Sequence, residues 1–485
     1  MDHQEGREDD MDGKLYINGE WQEADSGERI DVLNPATGER VGTAAFGGQV
    51  ETKRAIDAAD QAFPAWRKRT AEDRGKILMR WHDLLVENQE EIAEILTKEM
   101  GKPFAEAKGE ILYSASFIKW FAEEARRIYG RIVPSAQENS RALVMKQPIG
   151  VVASITPWNF PAAMIARKVA PALASGCTFV GKPANLTPLT AIKMVEYAEE
   201  AGVPKGVLNL IVGKSSAIGS EMTSNTKVRK LTFTGSTEVG KTLMKQSAET
   251  MQNLSLELGG HAPIIICDDA DVDLAVDGVI ASKFRNAGQT CICGNRIYVQ
   301  RGIADVFTEA FAEKVRALRV GNGMEEGVDI GPVIEKASYD KIAQHVEDAV
   351  TKGAEVVAGG KGTTEDEVYF FEPTVLSGVN EDMIIMKEET FGPVAPIQLF
   401  DTDEEAVRLA NNSRFGLAAY FFTEHMARGM HIGEGLEFGI IGWNDGAPSM
   451  AQVPFGGMKE SGMGREGGIE GIEAYLETKY MKMRI

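Results

Sequence analysis

Apolar residues between Glu51 and Met100 recur at spacings of three and four, as at Ile77, Leu78, Trp81, Leu84 and Leu85, and this predicts helix. Gly101-Lys-Pro103 ends that stretch. A second helix is predicted from about Phe104 to Ile128, closed by Gly130. From Ile149 the rhythm changes. Val151-Val-Ala-Ser-Ile155 is a short apolar run and predicts a buried strand; Pro161 to Leu173 predicts a helix with proline near its first turn. Cys177–Val180 predicts a strand, Thr190–Glu200 a helix, Val207–Val212 and Lys230–Thr234 two more strands, and a helix follows from Glu238. Alternation of this kind predicts a parallel sheet covered on both faces. Such sheets bind ligands at the carboxyl ends of their strands. A second alternating region opens at Ala262-Pro-Ile-Ile-Ile266 and runs through Arg296–Val299 and a helix ending near Leu318. The stretch Ile472–Met483 lies far from any alternation and is expected to be an exchanged strand used for oligomerisation.

Composition narrows the class. The 485 residues suggest two to four domains, at roughly 100–200 residues each. With 43% hydrophobic and 26% charged residues, the chain reads as ordinary globular protein. The formal net charge of -20 disfavours nucleic acid and anionic membranes, because both are polyanions. No apolar run reaches the roughly 20 residues that a membrane span needs. Met1–Asp12 is acidic and polar, unlike a signal or transit peptide, and the tail around Asp9 and Asp10 is expected to be disordered. Cys177, Cys267, Cys291 and Cys293 are too few for a disulfide scaffold, so a reducing compartment, the cytoplasm, is expected. The histidines lack metal-site spacing and there is no Cys-x-x-Cys pair, so no metal is expected. No internal repeat or low-complexity linker is apparent.

Four motifs carry chemistry, and each has a plainer reading. Cys291, in Phe284-Arg-Asn-Ala-Gly-Gln-Thr-Cys-Ile-Cys293, follows a polar turn; it is a candidate nucleophile or a buried structural thiol. Thiolates attack carbonyls once local donors or a helix N-terminus lower their pKa. Glu257, in Leu254-Ser-Leu-Glu-Leu-Gly-Gly260, is flanked by leucines that would raise its pKa toward that of a general base; the alternative is a solvent-facing strand end. Asn159, in Thr156-Pro-Trp-Asn-Phe-Pro161, sits between a strand and a helix, where an amide donates to an oxyanion or caps the helix. Phe233-Thr-Gly-Ser-Thr-Glu-Val-Gly240 links a strand to a helix, which suits a phosphate or an ordinary turn; it is not Gly-x-Gly-x-x-Gly. Lys182 ends another strand of the same sheet, within reach of a ribose or phosphate.

Together and in this order, these motifs resemble the aldehyde dehydrogenase superfamily from about Tyr16 to the C-terminus. The resemblance implies an α/β fold: a cofactor-binding parallel α/β domain (14–125 and 148–256), a catalytic α/β domain (257–445), and an oligomerisation hairpin and strand (126–147 and 470–485). It implies Cys291 as nucleophile, Glu257 as general base and Asn159 as oxyanion donor. It implies NAD or NADP held by Thr156, Pro157, Trp158, Lys182, Asn185, Gly235, Ser236, Glu389 and Phe391, the last two from Glu388-Glu-Thr-Phe-Gly-Pro393. The implied reaction takes an aldehyde to a carboxylic acid through a Cys291 thioester. Acyl-transferring relatives that use coenzyme A generally lack the base, so hydrolysis is expected. Protomers are expected to pair through the 126–147 hairpin and the C-terminal strand as a homodimer or homotetramer.

Within that superfamily the chain is similar to succinate-semialdehyde dehydrogenases, on Trp158–Lys168, Lys283–Cys293 and Pro454-Phe-Gly-Gly457. The resemblance implies a clamp of Arg167, Arg285 and Ser449 on the substrate's distal carboxylate, since guanidinium forks match carboxylates. Trp443 and Pro448 depart from the commonest form of the loop at the substrate mouth, which leaves glutarate and 2-oxoglutarate semialdehydes open. An uncharged aldehyde, such as lactaldehyde or betaine aldehyde, is the rival reading; a non-catalytic scaffold protein would need none of the three catalytic residues. NAD-specific members often carry Glu where this chain has Asn185, so NADP is expected to be tolerated or preferred. Cys293 is a packing thiol or, by the resemblance, a reversible disulfide partner of Cys291.

Overall fold

The helical stretch predicted over Glu51–Met100 is three helices, Gln49–Trp66, Ala71–Glu87 and Gln89–Met100, in the computed structural model, which describes residues 11–485. The acidic start with Asp9 and Asp10 lies outside the described residues. Thr70 opens the second of these helices by accepting from the Asp73 N–H at 3.1 Å. Gly101 closes the third in the left-handed conformation. The second predicted helix runs over Phe104–Glu124 and then tightens into a 3₁₀ turn, Ala125–Arg127. No helix among the described residues is long and apolar enough to cross a membrane.

The predicted parallel sheet is present. Its five central strands lie in the order Asn253–Glu257, Val228–Thr234, Val151–Ile155, Thr178–Lys182 and Leu208–Leu210, all parallel. Antiparallel edge strands extend it: Gly462–Met463 on one side, Leu15–Ile17 and Glu20–Gln22 on the other. The apolar periodicity did not reveal the edges, because strands of two or three residues are too short to show a pattern. The chain enters at Val151–Ile155 and leaves it in both directions, so the sheet's switch point lies between that strand and Val228–Thr234. Trp81, Phe117, Val152 and Phe179 share the buried apolar cluster around this sheet.

A second sheet of seven strands contains Ala262–Ile266, Gly294–Gln300, Val394–Phe400 and Ala418–Phe422 in parallel. Alternate residues of Ala262–Ile266 face opposite cores. Ile264 and Ile266 pack with Phe307 and Phe311, and Ile265 packs with Ile342 and Phe421. A third sheet joins Arg131–Val133, Ser140–Pro148 and Leu476–Arg484, all antiparallel. The last strand, Leu476–Arg484, is the segment expected to serve oligomerisation. It pairs with Ser140–Pro148 of its own chain through nine in-register positions, and its start, predicted as strand from Ile472, is a short helix, Glu470–Glu473.

One buried ion pair ties the helical layer to the sheet's switch point. Lys102 Nζ donates to Glu110 Oε2 at 2.5 Å and to the Asn159 carbonyl at 2.8 Å, and lies 3.7 Å from the Phe160 ring centroid. The other Glu110 oxygen accepts from the Ala162 and Ala163 N–H groups at 3.0 and 3.2 Å. Those N–H groups open the helix Pro161–Ser175, and both charged side chains are buried. Removing one member would strand the other charge in a dry interior. Glu110→Ala is therefore expected to cost roughly 3–5 kcal/mol of stability, and Glu110→Gln, which keeps the acceptor, less. Urea denaturation reads both; a wild-type midpoint for Glu110→Ala would show that the pair fixes nothing.

Candidate active site

Thr156, Pro157, Trp158 and Asn159 follow the strand Val151–Ile155, and Gly235 and Ser236 follow Val228–Thr234, on either side of the switch point. Between them lies a cavity of about 210 Å³, lined by Pro157, Trp158, Asn159, Gly235, Ser236, Cys291, Glu389 and Phe391 among others. Ser236 caps the helix Thr237–Ser247 by accepting from the Val239 N–H, leaving a capped helix N-terminus beside a glycine. The Thr156 hydroxyl is buried without a partner. Trp158 and Phe391 meet edge to face at 5.6 Å. Glu389 accepts from the Gly260 N–H at 3.1 Å, and burial pushes its carboxyl up to about 7. An aromatic wall, a hydroxyl in want of a partner and a helix N-terminus fit a nicotinamide dinucleotide. Lys182 and Asn185 stand apart from this cavity: Lys182 Nζ donates to the Pro183 carbonyl and to Asn185 Oδ1 at 3.1 Å, and burial lowers its pKa to about 8.

Cys291 is half-buried and lines this cavity and a second one behind it. Its approach is unusual backbone. Asn286, Ala287 and Gly288 all have positive φ, near 53°, 54° and 72°. A Cβ on Gly288 would lie 2.1 Å from the Gly392 carbonyl oxygen, and one on Gly260 would lie 2.2 Å from that of Cys291. Strain at the two non-glycine positions is held by side chains. Glu106 accepts from the Asn286 N–H at 2.8 Å, and Asn286 Nδ2 donates to the Asn159 carbonyl at 3.0 Å. Asn159 donates one amide hydrogen to the Gln289 carbonyl at 3.0 Å, and its amide nitrogen retains a second. The thiol differs from the sequence expectation of a lowered pKa. Burial pushes it up to about 12 against the pull of Arg167, with Glu389 and Glu257 adding to the rise.

Glu257 behaves as its leucine neighbours predict. It is buried, neither carboxylate oxygen has a hydrogen-bond partner, and burial followed by the nearby Glu466 charge holds its pKa well above the usual carboxylate range. Glu466 and Lys168 escaped the sequence reading. Lys168 Nζ donates to Glu466 and, at 2.6 Å, to Thr234 Oγ1. The Arg167 guanidinium meets the other Glu466 oxygen at 2.8 Å, a charge contact without hydrogen-bond alignment. No local motif announces this cluster, since its members come from distant segments.

Behind Cys291 the second cavity is walled by Tyr113, Phe160, Arg167, Arg285, Ser449 and Phe455. The two arginines differ. Arg167 is buried, stacked at 3.7 Å on Phe455 and balanced by Glu466. Arg285 stacks at 4.8 Å on Phe160, and among the described residues it has no carboxylate within 4.0 Å. Ser449 is bonded to the Tyr113 hydroxyl. The expectation for Trp443 is corrected: it ends the strand Ile440–Trp443, packs on Phe421 at 5.4 Å and donates to the Thr423 carbonyl, so its ring serves the core. Cys293 is fully buried, with its thiol against the Gly288 carbonyl and Lys283 Nζ.

The aldehyde dehydrogenase family profile matches residues 21–481. The chain is 54% identical over 468 residues to a glutarate-semialdehyde dehydrogenase of Pseudomonas putida, covering 96% of this chain and 97% of that one. It is equally 54% identical, with the same coverage, to the NADP(+) succinate-semialdehyde dehydrogenase GabD of Escherichia coli. The crystal structure of an aldehyde dehydrogenase from Brucella melitensis biovar abortus superposes with a TM-score of 0.96 at 55% identity, covering 97% of both chains. The chain belongs to the aldehyde dehydrogenase family and is an NAD(P)-dependent oxidoreductase.

Proposed function

We propose that the protein oxidises succinate semialdehyde to succinate, with NADP accepted or preferred over NAD. The observation that carries this reading is that Cys291 stands at the junction of two cavities, one fitted for a nicotinamide and one holding an unpaired guanidinium. Glutarate semialdehyde is the second reading, favoured by the equal similarity to the Pseudomonas putida enzyme.

The Cys291 thiol loses its proton to solvent, the thiolate Sγ adds to the aldehyde carbon, and the developing oxyanion takes the free Asn159 amide hydrogen and the Cys291 backbone N–H. NAD(P), when bound, would supply the hydride acceptor; Trp158, Gly235, Ser236, Glu389 and Phe391, with Thr156, Pro157 and Lys182, are the residues that would hold it. The hydride lost from carbon leaves a thioester on Cys291. Glu257 then takes a proton from water, which attacks the acyl carbon and frees the acid and the thiol. Arg285 and Ser449, with Arg167 behind them, orient the substrate by its distal carboxylate. Lys182 faces an amide at Asn185 instead of a carboxylate, so nothing there repels a 2′-phosphate. The 126–147 hairpin and the 470–485 segment serve oligomerisation as a dimer or tetramer, and the free thiols suit the cytoplasm. A peroxide, reduced to water or an alcohol as it takes two electrons and both thiol protons, would join Cys293 to Cys291 as a disulfide.

Four outcomes follow. Arg285→Ala should lower kcat/KM for succinate semialdehyde about a hundredfold more than for butanal, the scale of a lost charged hydrogen-bond pair; equal losses would point to an uncharged substrate. Glu257→Gln should release one reduced nucleotide per site in a burst and then stall as the acyl-enzyme. Because Glu257 must be ionised to act and its pKa is raised, wild-type hydrolysis should speed up as pH rises above the usual carboxylate range; steady turnover by the Gln variant would remove Glu257 from the role. Titration with both nucleotides at saturating aldehyde should reduce NADP; a response to NAD alone would refute the part given to Asn185.

A further inference from the structure

Beyond the chamber against Cys291 lies an outer one. The inner volume is about 20 Å³ and the outer about 350 Å³. Tyr113, Phe160, Arg285 and Ser449 line both, so these four side chains form the wall between them. Tyr113 comes from the helix Phe104–Glu124, and Ser449 from the loop after the strand Ile440–Trp443. Their hydroxyl oxygens are 2.5 Å apart. The tyrosine ring is fixed edge to face against Phe117 at 4.9 Å and packs on the Phe160 and Met164 cluster. The helix therefore sets the hydroxyl's position, and the loop takes its place from the helix.

A hydrogen bond between two hydroxyls uses one of their two O–H groups and leaves the other free. Whichever oxygen donates, one proton remains beside the Arg285 guanidinium, which has donors only. Glu106 and Glu110 line the outer chamber; Glu110 accepts from Lys102 and the helix N–H groups, and one oxygen of Glu106 accepts from the Asn286 N–H. What the wall offers a ligand is a hydroxyl proton next to a cation, which matches an ionised carboxylate and mismatches a hydroxyl or an alkyl end.

We propose that Tyr113 is a specificity-determining residue for the substrate's distal carboxylate, acting as one unit with Ser449. This rests on the semialdehyde-acid reading above and deepens it. The experiment measures kcat/KM on succinate semialdehyde, glutarate semialdehyde and butanal for wild type, Tyr113→Phe, Ser449→Ala and the double variant. The expected result is an acid-to-butanal ratio about tenfold lower in Tyr113→Phe, the scale of one hydrogen bond to a charged group, expressed in KM for the acids. The double variant should be no worse than the poorer single, because coupled groups are not additive. A wild-type ratio near one would overturn the substrate reading and this inference together. A wild type that prefers acids, with a ratio unmoved in Tyr113→Phe or with losses that multiply in the double variant, would overturn this inference and leave the substrate reading standing.

Discussion

One buried contact, that of Lys102 with Glu110, holds the loop that carries Asn159. The ammonium grips the Asn159 carbonyl, while the carboxylate grips the first N–H groups of the helix that follows. The amide of Asn159 is thereby fixed from behind, through its own backbone. A charge pair in a dry interior carries a heavy desolvation cost, and three further hydrogen bonds offset it. An apolar pair of the same volume would fill the space without orienting the carbonyl.

The sequence made the central architecture legible. The apolar run Val151–Ile155 and the alternation after it marked the parallel sheet, and the motifs at strand ends marked the cavity. Glu257 was legible because its neighbours are leucines, and burial by apolar neighbours raises a carboxyl. The electrostatics around it were not. Lys168 and Glu466 meet across 298 residues of chain, and periodicity carries no information about such pairs. Nor did the Gly-Gln-Thr turn reveal that Asn286 and Ala287 take left-handed backbone, since neither is glycine. Glu106, far away in sequence, holds the Asn286 N–H in that conformation.

The raised thiol of Cys291 sets the resting state. Burial pushes the thiol up to about 12, which favours its protonated, poorly nucleophilic form. A sulfur at the junction of two open cavities would otherwise be exposed to every small electrophile. The nearby Glu389 and Glu257 charges deepen this protection, and Arg167 opposes it. Reactivity is thus conditional on a change in the local field, which ties the nucleophile to the filling of its own cleft.

The three-stranded sheet of the hairpin and the C-terminal strand has an implication for synthesis. Lys146 and Glu473, paired at its base, are separated by 327 residues. While the ribosome is still making the later sheet, Ser140–Pro148 can pair only with the three-residue strand Arg131–Val133. A two-stranded ribbon is marginal in water, and its bare edge attracts other strands. The nascent chain therefore carries an unsealed edge until Leu476–Arg484 has been made, and a stop placed shortly before Leu476 leaves that edge open to aggregation for good.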